Sequence, residues 1–238
     1  GLRRSRSCRR GACARLHLWC PQGPVQPRYP PTMGRRVARV SPDVAAGQPS
    51  GWVVILNGAP RSGKTSIARA LATAAPGEWV NHGVDAVMAE TPEELLPGIG
   101  LRPGGERPDL EPHLPAMFEA MYREAARLAR SGVNVAVDVG HHDDYSTSLG
   151  ILERVGEWLR GVHVLFVGVR CELDEVMRRR DESGDGYVGS AADGSIPAPV
   201  LRWQRAVHER GGYDLEVDTS RVSAVVAAQE ILVALSRR

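Results

Sequence analysis

The chain has 238 residues, of which 42% are hydrophobic and 24% are charged, a composition typical of a globular protein with one sizeable core. Its apolar runs are too short to cross a bilayer, so we expect no membrane partner. The formal charge is +2, but residues 1–40 carry ten arginines and no acidic residue, which leaves −8 for residues 41–238. This mildly acidic body predicts no nucleic-acid binding by the folded part.

Residues 1–32 are rich in Arg, Pro and Gly and show neither helical nor strand periodicity. We predict a disordered basic extension and linker over residues 1–50 and one folded domain over residues 51–238. Two alternatives for the extension are a basic arm for an anionic partner and a zinc site. That zinc site would use Cys8, Cys13, His17 and Cys20. The folded part holds a single cysteine, Cys171, and the extension lacks the apolar core of a secretory signal, which predicts a cytoplasmic protein.

From Trp52 onwards, apolar strand patterns alternate with amphipathic helix patterns. The predicted strands cover residues 52–57, 79–85, 133–139, 162–169 and 213–219. The predicted helices cover residues 66–75, 116–132, 148–159, 172–182, 197–209 and 223–235. This alternation predicts an α/β fold, a five-stranded parallel sheet with helices on both faces. Residues 91–113 are rich in Pro and Gly and predict no clear element.

A phosphate-binding loop follows the first predicted strand. Residues 58–65, GAPRSGKT, match the pattern G-x-x-x-x-G-K-[ST], in which backbone N–H groups and a helix N-terminus surround phosphates. Lys64, the only lysine of the chain, stands where the pattern needs a cation, and the Thr65 hydroxyl is suited to Mg²⁺. The predicted nucleotide-binding residues are Gly58, Ala59, Pro60, Arg61, Ser62, Gly63, Lys64, Thr65 and Ser66. The sequence therefore predicts binding of a nucleoside triphosphate with Mg²⁺.

Two carboxylates come at the ends of predicted strands, where open α/β sheets bind ligands. Asp85 ends the second predicted strand, and Asp138 lies at the end of the third. We expect Asp85 to orient an acceptor hydroxyl and take its proton, and Asp138 to ligate Mg²⁺ together with Thr65. The structural alternatives are a helix N-cap for Asp85 and a strand-end residue bonding loop amides for Asp138.

Several segments between Val53 and Leu235 resemble the chloramphenicol phosphotransferases and their relatives. The matching pieces are VVILNGAPRSGKTSIARAL, W-x-x-x-GVD, the helix ending in ARLARSG, LFVGVRC and YDLEVDTS. The resemblance implies a P-loop NTPase fold and transfer of the γ-phosphoryl group of ATP to a hydroxyl of a small molecule, in that family an antibiotic. It also implies that Asp85 is the catalytic base.

The resemblance is incomplete at the lid. The family carries Arg-Gly-Asp-Arg where this chain has SGDG at residues 183–186, so both lid arginines are replaced. Arg179 falls on another family arginine and joins Asp85 and Lys64 in the predicted catalytic set. Arg178 and Arg180 flank it. Either these upstream arginines substitute for the lid, or the enzyme is slow or altered; a solvated helix face is the structural alternative.

The loop His141-His142-Asp143-Asp144 also departs from the family, which has a more apolar loop there. A polar loop that faces substrate or solvent is the favoured interpretation, and a metal site is the alternative. The acceptor is left open between chloramphenicol and another small metabolite. Two further functions stay open: a nucleotide-binding regulatory protein that has lost catalysis, and a nucleic-acid-associated protein acting through the basic extension.

Overall fold

The computed structural model describes residues 50–183, 190–191 and 194–238. Within them five strands form one sheet in the order β2-β3-β1-β4-β5, and every neighbouring pair is parallel. The strands are β1 (Trp52–Asn57), β2 (Trp79–Asn81), β3 (Asn134–Val139), β4 (His163–Arg170) and β5 (Leu215–Asp218). The predicted five-stranded parallel sheet is confirmed. Because β1 lies between β3 and β4, the loops after β1 and β3 emerge side by side at the carboxyl edge.

The described residues form seven α-helices, six of them between strands and the seventh after β5. They are α1 (Lys64–Ala74), α2 (Val84–Glu90), α3 (Leu114–Arg130), α4 (Ile151–Trp158), α5 (Leu173–Ser183), α6 (Ala198–Ala206) and α7 (Ala224–Ser236). The segment for which no element was predicted contains three short 3₁₀ turns, at Glu93–Leu95, Gly98–Gly100 and Glu111–His113. Single turns of this kind have no amphipathic repeat, which explains why sequence periodicity did not indicate them.

Helices cover both faces of the sheet, as predicted. Alternate residues of β1 point to opposite faces: Val53 and Ile55 pack with α3 and α4, whereas Val54 and Leu56 pack with α1 and α7. The core residues of both layers are almost fully buried, which accounts for the unbroken apolar run of β1. A third, smaller cluster joins α5 to α6 through Met177 and Val200. No helix among the described residues has the length and apolarity needed to cross a membrane.

The second strand is shorter than predicted. It ends at Asn81, and the chain then turns at Gly83 into α2. The prediction that Asp85 ends a strand is therefore wrong, because Asp85 is the second residue of a helix. The alternative of Asp85 as a helix N-cap is also wrong, since Gly83 holds that position.

Candidate active site

The loop between β1 and α1 has the shape of an anion nest. Arg61 and Gly63 both adopt left-handed backbone conformations, with φ angles of 70° and 93°. A Cβ at position 63 would also be tight, 3.3 Å from Arg179 Nη1. Alternation of right- and left-handed residues turns successive N–H groups toward one concavity, and the first N–H groups of α1 have no intrahelical acceptor. The loop therefore offers a ring of donors to an anion.

The predicted loop residues divide into two groups. Those that line the cleft in front of the loop are Gly58, Pro60, Arg61, Gly63, Lys64, Thr65 and Ser66. Ala59 and Ser62 belong to the same loop but face the protein interior, 3% and 1% exposed. The Ser62 N–H donates to the Ala59 carbonyl at 3.1 Å. These two residues support the loop from below.

Lys64, Thr65 and Asp138 form one hydrogen-bonded cluster at the mouth of the loop. Lys64 Nζ donates to the Ala59 carbonyl at 3.0 Å and lies 3.6 Å from Asp138 Oδ1. The Thr65 hydroxyl donates to Asp138 Oδ2 at 2.5 Å. A hydroxyl and a carboxylate are hard oxygen donors, the kind of ligand that Mg²⁺ prefers, so Thr65 and Asp138 are chemically suited to hold this ion. Among the residues described, no group of three or more His, Cys, Asp or Glu side chains could hold a metal by itself.

Gly83 brings Asp85 to this cluster. A Cβ at position 83 would lie 2.4 Å from the Asp138 carbonyl oxygen and 2.8 Å from Asp138 Cβ, so only glycine permits this approach. The α2 N-terminus is thereby held against the end of β3, and the exposed side chain of Asp85 lines the same cleft as Lys64 and Asp138. In the described part of the chain, the Asp85 carboxylate has no hydrogen-bond or ion-pair partner.

The cleft has a volume of about 1010 Å³ and two differently lined ends. One end, here called the phosphate half, is lined by the loop at 58–66, Arg179, Thr219 and residues 222–224. The other end, here called the acceptor half, is lined mainly by apolar side chains. These are Val84, Met88, Pro97, Ile99, Leu101, Phe118 and Trp203. Asp85 and Asp138 lie where the two halves meet.

Sequence reasoning missed most of the acceptor half. Residues 97–107 supply one wall of it, including Arg102, Glu106 and Arg107, and α6 supplies Trp203. The available signal was a few apolar residues, such as Ile99 and Leu101, isolated in a Pro- and Gly-rich segment. Both are only 4% exposed, so they are fixed by tertiary packing and not by local periodicity.

Comparison with known proteins identifies the family. The model of the family described as chloramphenicol phosphotransferase-like protein matches residues 51–236. The chain belongs to this family. A Mycobacterium tuberculosis protein named "Putative O-phosphotransferase" is 29% identical over 217 residues, covering 84% of this chain and 89% of that relative. The expectation of a kinase-type phosphotransferase is confirmed by this membership together with the phosphate loop.

Solved structures confirm the P-loop kinase fold of this family member. The Mycobacterium tuberculosis APS kinase, solved in complex with AMPPNP and APS, superposes with a TM-score of 0.53 at 18% identity, covering 79% of this chain and 99% of that chain. The Deinococcus radiodurans tunicamycin resistance protein gives a TM-score of 0.52 at 19% identity, with coverages of 78% and 95%. A sugar kinase from Janibacter sp. gives 0.52 at 20% identity, with coverages of 79% and 95%. At such identities the likeness establishes the fold alone.

The three consecutive arginines of α5 have three different environments in this chloramphenicol phosphotransferase-like chain. Arg178 is exposed and pairs with Glu175 and Glu182 on its own helix. Arg179 donates to the Arg61 carbonyl at 3.2 Å, to Thr219 Oγ1 at 3.1 Å and to the Thr219 carbonyl at 2.8 Å. Arg180 lines the cleft and is 7% exposed. The alternative of a solvated helix face therefore holds for Arg178 and is wrong for Arg179 and Arg180.

Arg179 connects the phosphate loop to the chain after β5. A fourth N–H, at Nε, donates to Glu175 at 2.8 Å, so four of the five guanidinium N–H groups already have acceptors. This geometry stabilises the left-handed turn at Arg61. The segment compared with the family lid begins at Ser183, the last residue of α5, and residues 184–186 lie outside the described part of the structure.

The loop after β3 turns inward. His141 and His142 are 2% and 3% exposed, so the prediction of a loop facing substrate or solvent is wrong for both. His141 Nε2 lies 2.6 Å from the Tyr122 hydroxyl, and burial lowers the pKa of His141 to about 3. His142 Nε2 lies 3.1 Å from the Leu101 carbonyl, and burial also lowers its pKa. The metal alternative is not supported either, because both rings are engaged in packing and hydrogen bonds.

His142 and Asp144 attach one wall of the acceptor half to the loop after β3. With the imidazole neutral, His142 Nε2–H donates to the Leu101 carbonyl, and the Gly104 N–H donates to the Asp144 carbonyl at 2.6 Å. Glu111, 2% exposed, accepts the Ser146 N–H at 3.0 Å. The wall at 97–107 is therefore attached to the loop after β3 at two points, Leu101 and Gly104, and Glu111 adds a contact just beyond it. The possible zinc site of Cys8, Cys13, His17 and Cys20 lies outside the described residues.

Proposed function

We propose that this protein transfers the γ-phosphoryl group of ATP to a hydroxyl of a small molecule, with Asp85 as the base. The observation that supports this most strongly is that Asp85 and the Lys64–Thr65–Asp138 cluster line one cleft. A carboxylate without a partner and a phosphate-binding loop are the two components that a kinase needs at its reaction centre.

The phosphate half would hold ATP through its β- and γ-phosphates. The N–H groups of the nest and the ammonium group of Lys64 donate to phosphate oxygens, and both are fixed before the ligand arrives. Thr65 and Asp138 would hold Mg²⁺, which supplies charge neutralisation at the phosphates. Arg179 fits a positioning role, since its N–H groups already hold Arg61 and Thr219.

The acceptor half would bind the molecule that becomes phosphorylated. Its hydroxyl oxygen attacks the γ-phosphorus while the bond from that phosphorus to the leaving ADP oxygen breaks, and Asp85 takes the hydroxyl proton. The products are ADP and the phosphate monoester.

The lining favours an acceptor with an apolar or aromatic body. Phe118 and Trp203 present ring surfaces, and Met88 adds an adaptable apolar side chain. We therefore propose chloramphenicol, or another antibiotic of amphipathic character, as the acceptor and antibiotic inactivation as the biological role.

The test is phosphoryl transfer from ATP to a panel of hydroxylated antibiotics and metabolites, followed as ADP release and as product mass. Lys64→Ala is expected to lower transfer by about 10³-fold, because a fixed cation at developing phosphate charge is lost. Thermal unfolding should change little. The matched control is Arg69→Ala, an exposed cation on the same helix.

Two results would count against the proposal. If Lys64→Ala transferred phosphate at the wild-type rate, the phosphate loop would have no role in the reaction. Tight nucleotide binding by the wild type, with no member of the panel phosphorylated, would favour the alternative of a nucleotide-binding regulatory protein.

A further inference from the structure

Thr219 directly follows β5 and packs against the phosphate loop, where it is 8% exposed. Its hydroxyl lies 2.7 Å from the Ser62 carbonyl oxygen and 3.3 Å from the Arg170 carbonyl oxygen. A hydroxyl has one hydrogen, and the Arg170 carbonyl already accepts the Thr219 N–H at 2.9 Å. The hydroxyl therefore donates to the Ser62 carbonyl, to which no backbone N–H of the described residues donates.

This hydrogen bond sets the direction of one N–H group of the nest. The peptide group between Ser62 and Gly63 is planar and trans, so its carbonyl and its N–H point in opposite directions. Because the carbonyl is held towards Thr219, the Gly63 N–H points away from Thr219. Gly63 lines the cleft with a left-handed backbone, the conformation that turns N–H groups into the concavity of a nest. Its N–H has no acceptor among the described residues and is available to a phosphate oxygen.

Arg179 holds Thr219 in turn. The Thr219 carbonyl accepts from Arg179 Nη2 at 2.8 Å, and the Thr219 hydroxyl oxygen accepts from Arg179 Nη1 at 3.1 Å. The hydroxyl thus has a donor and an acceptor, while the methyl group fills space beside Gly63, where a Cβ would lie 3.3 Å from Thr219 Cγ2. A polar group with every position satisfied is fixed before a ligand binds.

We infer that Thr219 is a positioning residue for nucleotide binding, because its hydroxyl orients the Ser62–Gly63 peptide so that the Gly63 N–H donates to a phosphate oxygen. The inference rests on the proposed function, of which it uses the nucleotide-binding step. It adds to the phosphate loop a residue that lies 157 positions from Ser62 in the sequence, outside the loop motif. A donor that is already aimed at its acceptor binds more tightly than one that must be reoriented.

The experiment compares Thr219→Val, which keeps the shape and removes the hydroxyl, with Thr219→Ser, which keeps the hydroxyl and removes the methyl group. Thr219→Val is expected to raise the KM for ATP and the Kd for AMPPNP about 10-fold, the scale of one hydrogen bond, while Thr219→Ser stays within about 2-fold of the wild type. The kcat of Thr219→Val should change by less than about 2-fold, because Lys64 is held separately by the Ala59 carbonyl. The matched control is Thr73→Val, which removes an exposed hydroxyl that donates to the Arg69 carbonyl on α1.

A spectroscopic readout observes the same peptide group directly. Protein labelled with ¹³C-carbonyl serine and ¹⁵N-glycine gives HNCO signals from its four Ser–Gly pairs, at residues 50–51, 62–63, 131–132 and 183–184. Replacing the serine of each other pair with alanine identifies the signal of Ser62 and Gly63. The Gly63 amide shifts should change when AMPPNP is added to the wild type. The Ser62 carbonyl shift should already differ in nucleotide-free Thr219→Val and be retained in Thr219→Ser.

Three results would overturn the inference. The first is equal AMPPNP affinity in Thr219→Val and the wild type, and the second is an equal loss in Thr219→Val and Thr219→Ser, which would point to shape and not to the hydroxyl. The third is a Gly63 amide signal of the wild type that AMPPNP does not move, a measurement that stands even if Thr219→Val does not fold. Failure of the proposed function would look different, since the wild type would then bind AMPPNP and show the Gly63 shift but phosphorylate no acceptor.

Discussion

The two halves of the cleft differ in how strictly their chemistry determines which residues stand there. In the phosphate half, the chemistry of anion binding dictates residue types at fixed spacing, so glycine at 63, lysine at 64 and a hydroxyl at 65 are each required. In the acceptor half, apolar residues from four separate segments meet, and many other side chains could form a similar wall. The catalytic machinery is therefore constrained by general chemistry, whereas the substrate is selected by packing that is particular to this chain.

The strongest test of this comparison is Asp85, which lies where the halves meet. Asp85→Asn is expected to lower kcat by about 10²-fold, the usual scale for loss of a general base, while nucleotide affinity is retained. The matched control is Glu90→Gln, which removes an exposed carboxylate from the other end of α2. Steady-state kinetics with the preferred acceptor gives kcat and the KM for ATP of both variants. A near-normal kcat in Asp85→Asn would show that the base lies elsewhere.

The consecutive arginines of α5 sharpen the comparison on the phosphate side. Arg180→Met is expected to lower kcat about 10-fold, because a buried cation of the cleft wall would stabilise charge on the transferred phosphoryl group. Arg179→Met should chiefly raise KM for ATP, since its contacts position the loop. Arg178→Met is the control on the solvent side, with kinetic constants within about 2-fold of the wild type. If all three variants behave alike, the assignment of distinct roles fails.

The sequence predicted the sheet, its covering helices and the phosphate loop because each leaves a local pattern. Asp138 lies beside Thr65 because β1 and β3 are parallel and end at a common edge, and its role as a Mg²⁺ ligand stays a prediction. The start of α2 was not predicted: the turn at Gly83 exists because its backbone packs against Asp138, a residue distant in sequence. The burial of His141 could not be predicted from local sequence either. Its hydrogen-bond partners, Asn57 and Tyr122, come from β1 and α3, which are distant in sequence.

Acid is expected to destabilise the folded chain through two histidines whose pKa values are lowered by folding. Burial lowers the pKa of His141 to about 3, and burial with the nearby positive charges of Arg170 and Lys64 lowers that of His208 to about 3. An unfolded histidine titrates near 6.5. Between these values the unfolded chain binds more protons than the folded chain, so stability falls as the pH drops from about 6.5 towards 3.

Each of the two histidines is expected to lower the unfolding free energy by up to about 1.4 kcal/mol per pH unit in this range. Urea denaturation at pH 7, 6 and 5 measures how steeply the unfolding free energy changes with pH. His208→Gln should be less sensitive to pH than the wild type, whereas His113→Gln, at an exposed position, should keep the wild-type slope. A slope in His208→Gln equal to that of the wild type would mean that His208 titrates alike in both states. In that case the hydrogen bonds that join His208, Tyr213 and Asn57 would not depend on a neutral imidazole.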